Sequence, residues 1–313
     1  MRRTGAHGTP SQGTSARTRA QAKVNLFLRV LAREAGGYHQ LETLFCRLEL
    51  GDEVVVRTNV RGRSLDCVGD AVREASLGPV ERNLAWRAAV AYVDAAGWPN
   101  DWSIEIVKHV PIGGGLGGGS ADAGAVLRCL NALAPSPLST ADLLALATPL
   151  GADVPFLTLD TPLALAWGRG ERMLALPCLP SRNVTLACFP FGVSTPAAYG
   201  WLDEEPTPQL HTARVVAVAD LTSWAGVAAR AHNDFERVVV PRFARIAETL
   251  ATWRASLHDE RDASAFAMLA GSGSTVFAIA DRDMPPPDAG GGGEVRVVAT
   301  RTATRVVGVE ASD

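Results

Sequence analysis

Between Pro111 and Ser120 the chain reads Pro-Ile-Gly-Gly-Gly-Leu-Gly-Gly-Gly-Ser, with glycine at six of the seven positions from 113 to 119. Glycine is entropically expensive to order, so such a run marks backbone that must approach something closely. Directly behind it, Ala123, Val126, Leu127, Leu130 and Leu133 recur at helical spacing. A glycine loop feeding a helix N-terminus offers free N–H groups and a partial positive charge, the chemistry of a phosphate cradle. Gly113, Gly115 and Gly118 satisfy the dinucleotide spacing, but Lys108-His109-Val110-Pro111 stands where an apolar strand is needed. Gly113 and Gly118 also fit half of a Walker A motif, yet Gly119-Ser120 replaces the lysine pair. Taken alone, the loop is compatible with an unusual nucleotide cradle or with a flexible linker.

Other polar residues stand in suggestive places, each with a plain structural alternative. Lys23 and Asn25 fall ~7 Å apart on one face of a predicted strand, opposite Val24, Leu26, Leu28 and Val30; simple solvent exposure explains them equally well. Asp153 lies in Gly151-Ala-Asp-Val-Pro-Phe156, where the spacing predicts a turn from helix to extended chain. Gly271-Ser272-Gly273-Ser274 precedes a predicted strand from Thr275 and is readable as a tight turn.

The elements that position these residues alternate along the chain. Strands are predicted over 23–30, 52–57, 103–107, 184–189, 275–280 and 295–298, and helices over 83–95, 121–133, 141–150 and 234–253. Asn83 suits a helix N-cap, and Thr195-Pro196 reads as a cap followed by proline at the first helical position. Residues 284–293, three prolines followed by four glycines, are expected to form a mobile surface loop.

With 313 residues, 47% hydrophobic and 20% charged, the chain has the size of two soluble domains. A net charge of −3 argues against nucleic acid as a partner, and no apolar run is long and uninterrupted enough to predict a membrane partner. A small-molecule substrate is expected. Five cysteines, scattered and without C-x-x-C spacing, indicate neither a disulfide framework nor a zinc site, so a reducing cytoplasm is expected. Residues 1–18, rich in Arg, Ser, Thr and Gly, are expected to be a disordered tail.

Taken together, Lys23-Val-Asn-Leu, the 111–120 loop and Gly271-Ser-Gly-Ser resemble the three sequence blocks of the GHMP kinases. Gly37-Tyr38-His39 ahead of Leu41-Glu-Thr-Leu-Phe45, and Gly151-Ala-Asp-Val-Pro-Phe156, resemble the branch that phosphorylates cytidylated methylerythritol in the non-mevalonate route to isoprenoid precursors. The resemblance spans roughly residues 20 to 280. It implies an α+β, two-domain GHMP kinase fold: a ribosomal protein S5 domain 2-like N-terminal domain over 19–165 and a ferredoxin-like C-terminal domain over 166–313. The site would lie between them. The oligomeric expectation is a monomer or homodimer.

By that resemblance ATP with Mg²⁺ is the cofactor and its γ-phosphate goes to the 2-hydroxyl. Asp153 is the catalytic base and Lys23 holds it in register with the substrate. ATP binding falls to Asn83, Lys108, Pro111, Ile112, Gly113, Gly114, Gly115, Leu116, Gly117, Gly118, Gly119 and Ser120. Asn25, Tyr38, His39, Thr195, Tyr199, Gly271, Ser272 and Gly273 contact the substrate, Tyr38 stacking on cytosine and His39 bonding its edge. Asn83 is equally a cap, Lys108 a solvated strand end and Tyr199 a core aromatic. No metal ligands are assigned; Asp122 is a candidate for Mg²⁺ or simply an acidic residue at a helix start. The alternatives are a homoserine- or mevalonate-type kinase, against which Gly37-Tyr38-His39 speaks, and a nucleotide-binding sensor, which needs neither Lys23 nor Asp153.

Overall fold

Residues 20–29 of the first strand and 43–48 of the second are buried at every consecutive position, polar side chains included, so the sheet they form is covered on each side. The computed structural model describes residues 14–73, 78–205, 216–258, 262–287 and 293–312. β1 (Ser15–Arg33) and β2 (His39–Thr58) form a long antiparallel hairpin with register shifts near Lys23, Asn25 and Val30. Such bulges bend a strand and re-aim its side chains. β3 (Arg63–Val68) runs parallel to β4 (Trp102–Val107), which pairs with β2. β5 (Leu163–Gly168) joins β2 beside the hairpin and β6 (Arg172–Ala175) pairs with β5.

Helices Leu84–Ala96 and Gly118–Leu133 cover one face of this sheet, with Ala88, Tyr92, Val126 and Leu130 in one core with Val54, Val56 and Ile104. Small residues set the spacing: a Cβ on Gly124 would stand 2.5 Å from the Leu157 carbonyl oxygen. A second, fully antiparallel sheet follows, with β7 (Asn183–Cys188), β8 (Phe266–Leu269), β9 (Val276–Ala280) and β10 (Arg296–Arg301) in the order β10-β7-β9-β8. Helix Ala244–His258 packs Ile246, Leu250 and Trp253 on its face. Finally β11 (Glu310–Ser312) returns to pair with Ser15–Arg17 of β1.

Several sequence expectations are corrected. The first sheet extends past residue 165, through β5 and β6, and recovers β11 from the C-terminal end, so the division at 165/166 does not follow the hydrogen bonding. Of the expected tail 1–18, residues 15–18 belong to β1, and residues 1–13 lie outside the described residues. The predicted 234–253 helix is broken at Pro241, where a 3₁₀ turn separates Glu236–Val239 from Ala244–His258. In the 284–293 loop, Met284 is buried and Pro285 accepts a 3.0 Å hydrogen bond from the Trp253 indole, so its start is pinned; residues 288–292 lie outside the described residues. Among the described residues no helix is long and apolar enough to cross a membrane.

Candidate active site

All three glycine- and lysine-bearing blocks converge on Lys23. Its backbone N–H donates to the Leu116 carbonyl at 2.9 Å, which ties β1 to the glycine loop. Its stem lies against Gly117, where an added Cβ would be 3.0 Å from Cγ, and a Cβ on Gly271 would be 3.5 Å from Nζ. The ammonium donates to Asn25 Oδ1 at 2.8 Å and stands 3.3 Å from Asp153 Oδ2. Asn25 in turn donates to Thr43, whose hydroxyl donates to the Phe27 carbonyl. Both Lys23 and Asn25 are buried, so this strand face is interior and not the solvated one that simple exposure requires.

The glycine loop is built for close approach. Gly115 has φ +79, and a Cβ there would meet the Ala270 carbonyl oxygen at 2.0 Å. Gly117, with φ +72, is the N-cap of helix Gly118–Leu133, and residues 117–120 at that helix start, where N–H groups lack intrahelical partners, line the cavity beyond the loop. Thr275 N–H donates to the Gly114 carbonyl at 3.3 Å, joining the loop to the 271–274 turn. Asn233, which the sequence reading missed, donates to the carbonyls of Leu269 and Gly271, both at 2.8 Å, and fixes that turn. Only the composition of a buried Asn-Asp-Phe-Glu loop signals this; nothing in its spacing does.

Asp153 begins the short helix Val154–Thr158, where extended chain was expected. Proline fits near a helix start, so Pro155 continues the turn and does not break it. The Asp153 carboxylate caps no backbone N–H and is turned to Lys23, more than a quarter exposed. Arg47, also missed, is fully buried and donates to Thr161, Phe156 and Leu159 carbonyls at 3.0, 2.9 and 2.8 Å. It thereby satisfies the C-terminal end of the helix whose first residue follows Asp153; burial draws its pKa down to about 9.

Lys108 is no solvated strand end. Its ammonium is buried between Asp122 Oδ2, at 2.6 Å, and Asp52. Asp52 also accepts the His109 and Val110 N–H groups at 2.6 and 2.8 Å. Burial opposes the Lys108 charge, but the two carboxylates outweigh it and raise its pKa. Asp122 keeps one oxygen with no partner. Burial first, then the Asp52 charge, pushes Asp122 up against the pull of Lys108, to about 7.

That places a pH dependence on stability. The folded pKa lies above the ordinary 3.8, so the folded state holds the proton more tightly. The stability is fully present below the unfolded value and is lost as pH rises through about 7. Asp122→Asn removes this loss: its Tm relative to wild type is expected to rise by roughly a few degrees between pH 5 and pH 8. Equal pH profiles of Tm in the two proteins would contradict the assignment.

A cavity of about 550 Å³ joins these parts. Every predicted site residue lines it except Tyr38, His39 and Gly273. Asn83 does so while capping its helix, its side chain accepting from Ala85 N–H at 2.9 Å. Thr195 is the first residue of helix Thr195–Asp203 and not its cap; its hydroxyl pairs with Ser272 at 2.8 Å. Tyr199 is both core and cavity wall, stacked on His39 and edge-on to Phe235. Burial, then the Asp153 charge, pushes its phenol up to about 12.

Tyr38 and His39 stand apart, Tyr38 on the β1–β2 turn and His39 as the first residue of β2. Tyr38 is 59% exposed and carries the Arg169 guanidinium 4.0 Å from its ring centre; Arg169 is itself paired with Glu34. His39 Nε2 lies 2.8 Å from Asp203.

The loop, the Lys23–Asp153 pair and the two-sheet architecture define a GHMP kinase. The family model for the GHMP kinases N terminal domain matches residues 83–160. A 4-diphosphocytidyl-2-C-methyl-D-erythritol kinase of Deinococcus radiodurans is 38% identical over 263 residues, 83% of each chain. One from Desulfotalea psychrophila is 36% identical over 85% of this chain and 86% of its own. The solved structure of a 4-(cytidine 5'-diphospho)-2C-methyl-D-erythritol kinase superposes with a TM-score of 0.69 at 31% identity, covering 92% of this chain and 99% of that one. A homoserine kinase from Cytophaga hutchinsonii, at 15% identity and TM-score 0.63, shares the fold. The chain belongs to the 4-diphosphocytidyl-2-C-methyl-D-erythritol kinase family of the GHMP kinases.

Proposed function

We propose that this chain transfers the γ-phosphate of ATP to the 2-hydroxyl of 4-diphosphocytidyl-2-C-methyl-D-erythritol. The observation that carries the reading is the Lys23–Asp153 pair, 3.3 Å apart at the mouth of the glycine loop. Phosphoryl transfer asks a protein chiefly for positioning and charge stabilisation. Backbone N–H groups of Gly113–Gly119 and the helix N-terminus behind them hold the triphosphate. Asn83 and the Lys108 backbone and stem border the adenine end; the Lys108 ammonium is taken by its two carboxylates. Asp153 accepts the proton of the attacking hydroxyl, and Lys23, braced by Asn25, holds both in register. Thr195, Tyr199 and the Gly271–Gly273 turn border the erythritol end, with Tyr38 and His39 serving the cytidine.

Mg²⁺ arrives with the nucleotide in this reading. Such an ion keeps phosphate and water ligands and takes one or two protein oxygens. Ser120 and the unpartnered oxygen of Asp122 fit that need. When bound, the ion supplies charge neutralisation on the phosphates.

The test is ADP release by the purified chain with cytidylated methylerythritol, homoserine and mevalonate offered separately. Turnover of the first alone is expected. Turnover of either of the others without the first overturns the reading.

A further inference from the structure

Asp203 ends helix Thr195–Asp203, and no basic residue occupies the last turn. A carboxylate there meets the negative end of the helix dipole, an unfavourable place unless something offsets it. The offset comes from the other half of the molecule. Arg33 of β1 stands 3.4 Å from Oδ2 and His39 Nε2 stands 2.8 Å from Oδ1. One helical turn earlier, Tyr199 stacks on the same imidazole, with centroids 4.4 Å apart and planes 14° from parallel. Residues four apart share a helix face, so one face grips the ring by its plane and by one nitrogen. The His39 side chain is only 9% exposed.

A carboxylate only accepts hydrogen bonds, so Nε2 carries the proton, and in the neutral ring Nδ1 is then an acceptor. Among the described residues Nδ1 has no partner. Beside it in the chain, Tyr38 offers an exposed ring to a flat heterocycle. Cytosine and uracil differ along one edge: at position 4 the first presents an amine donor and the second a carbonyl acceptor, and the neighbouring N3 is an acceptor in cytosine and an N–H donor in uracil.

We infer that Asp203 is a specificity-determining residue: by holding Nε2 of His39 it keeps Nδ1 an acceptor, which takes the cytosine amine and turns away uracil. The inference rests on the cytidine assignment proposed above. Asp203 itself touches no substrate and acts as a positioning residue through His39.

The test compares wild type, Asp203→Ala and Asp203→Asn, as full-length chains, on cytidylated and uridylated methylerythritol with saturating ATP. Long-range ¹H–¹⁵N spectra of the His39 ring report its tautomer in parallel. Wild type is expected to prefer the cytidylated compound and to show the Nε2–H tautomer. Asp203→Ala is expected to shrink the cytidylated-to-uridylated ratio of kcat/KM by about tenfold or more, mainly through KM of the cytidylated substrate. KM for ATP should move less than about twofold, and the ring should show mixed tautomers. Asp203→Asn keeps an oxygen acceptor and should hold the ratio within about threefold of wild type. An unchanged ratio in Asp203→Ala overturns the inference. So does an Nδ1–H or doubly protonated ring in wild type, which the spectrum reads even if a variant fails to fold. Absence of wild-type turnover on the cytidylated compound defeats the proposed function and this inference with it, whereas wild-type turnover with an unchanged ratio in Asp203→Ala defeats this inference alone.

Discussion

Asp153→Asn is expected to lose about 10²–10⁴-fold in kcat while its KM for ATP stays within about twofold. The carboxylate faces Lys23 at 3.3 Å and makes no capping bond to its own helix, so the substitution leaves the backbone unprovoked. Asparagine keeps the shape and removes the basic oxygen. The glycine loop, Asn83 and Ser120 are untouched, so nucleotide binding persists. Steady-state ADP release, with Tm as the control for folding, reads the result. A kcat within fivefold of wild type would remove Asp153 from the chemistry and leave its pairing with Lys23 structural.

Lys108→Met is expected to destabilise the fold by about 3–5 kcal/mol at pH 8, because it strands two buried carboxylates without their shared cation. Urea unfolding at constant pH gives the number. The same variant at pH 5 should lose less. Asp122 already titrates near 7 with the lysine present, and without it the proton is held more tightly still, so acid neutralises part of the stranded charge. A loss under 1 kcal/mol, or one independent of pH, would show that Asp52 and Asp122 are satisfied by other groups.

Much of the candidate site is visible in the order of residues, since each of the three blocks is a local pattern. The glycine run and the periodic helix behind it are adjacent in sequence, and Lys23 and Asn25 share a strand face by parity alone. What parity misjudges is burial. β1 and β2 are covered on both faces, helices packing on one and the second half of the molecule on part of the other, so a polar residue opposite an aliphatic one is still interior. The Asp52–Lys108–Asp122 triad leaves no trace in the sequence, its members lying on β2, just past β4 and on a helix. Arg47 likewise looks like an ordinary strand arginine until the chain that returns at Phe156–Thr161 brings it three carbonyls. Short strands such as β6 and β11 lack an apolar alternation, being largely exposed, and take their form from their neighbours.

The pairing of Glu310–Ser312 with Ser15–Arg17 sets an order on assembly. A ribosome delivers β1 first and β11 last, nearly three hundred residues later. Until β11 emerges, the outer rim of β1 at Ser15–Arg17 therefore carries unpaired N–H and C=O groups, the kind of edge that recruits a strand from another chain. The nascent first sheet can gather β2, β4 and β5 as they emerge, but this edge closes only once β11 has followed them. Conditions that slow translation between β1 and β11 lengthen the life of that open edge, and with it the nascent chain's exposure to chaperones and to self-association.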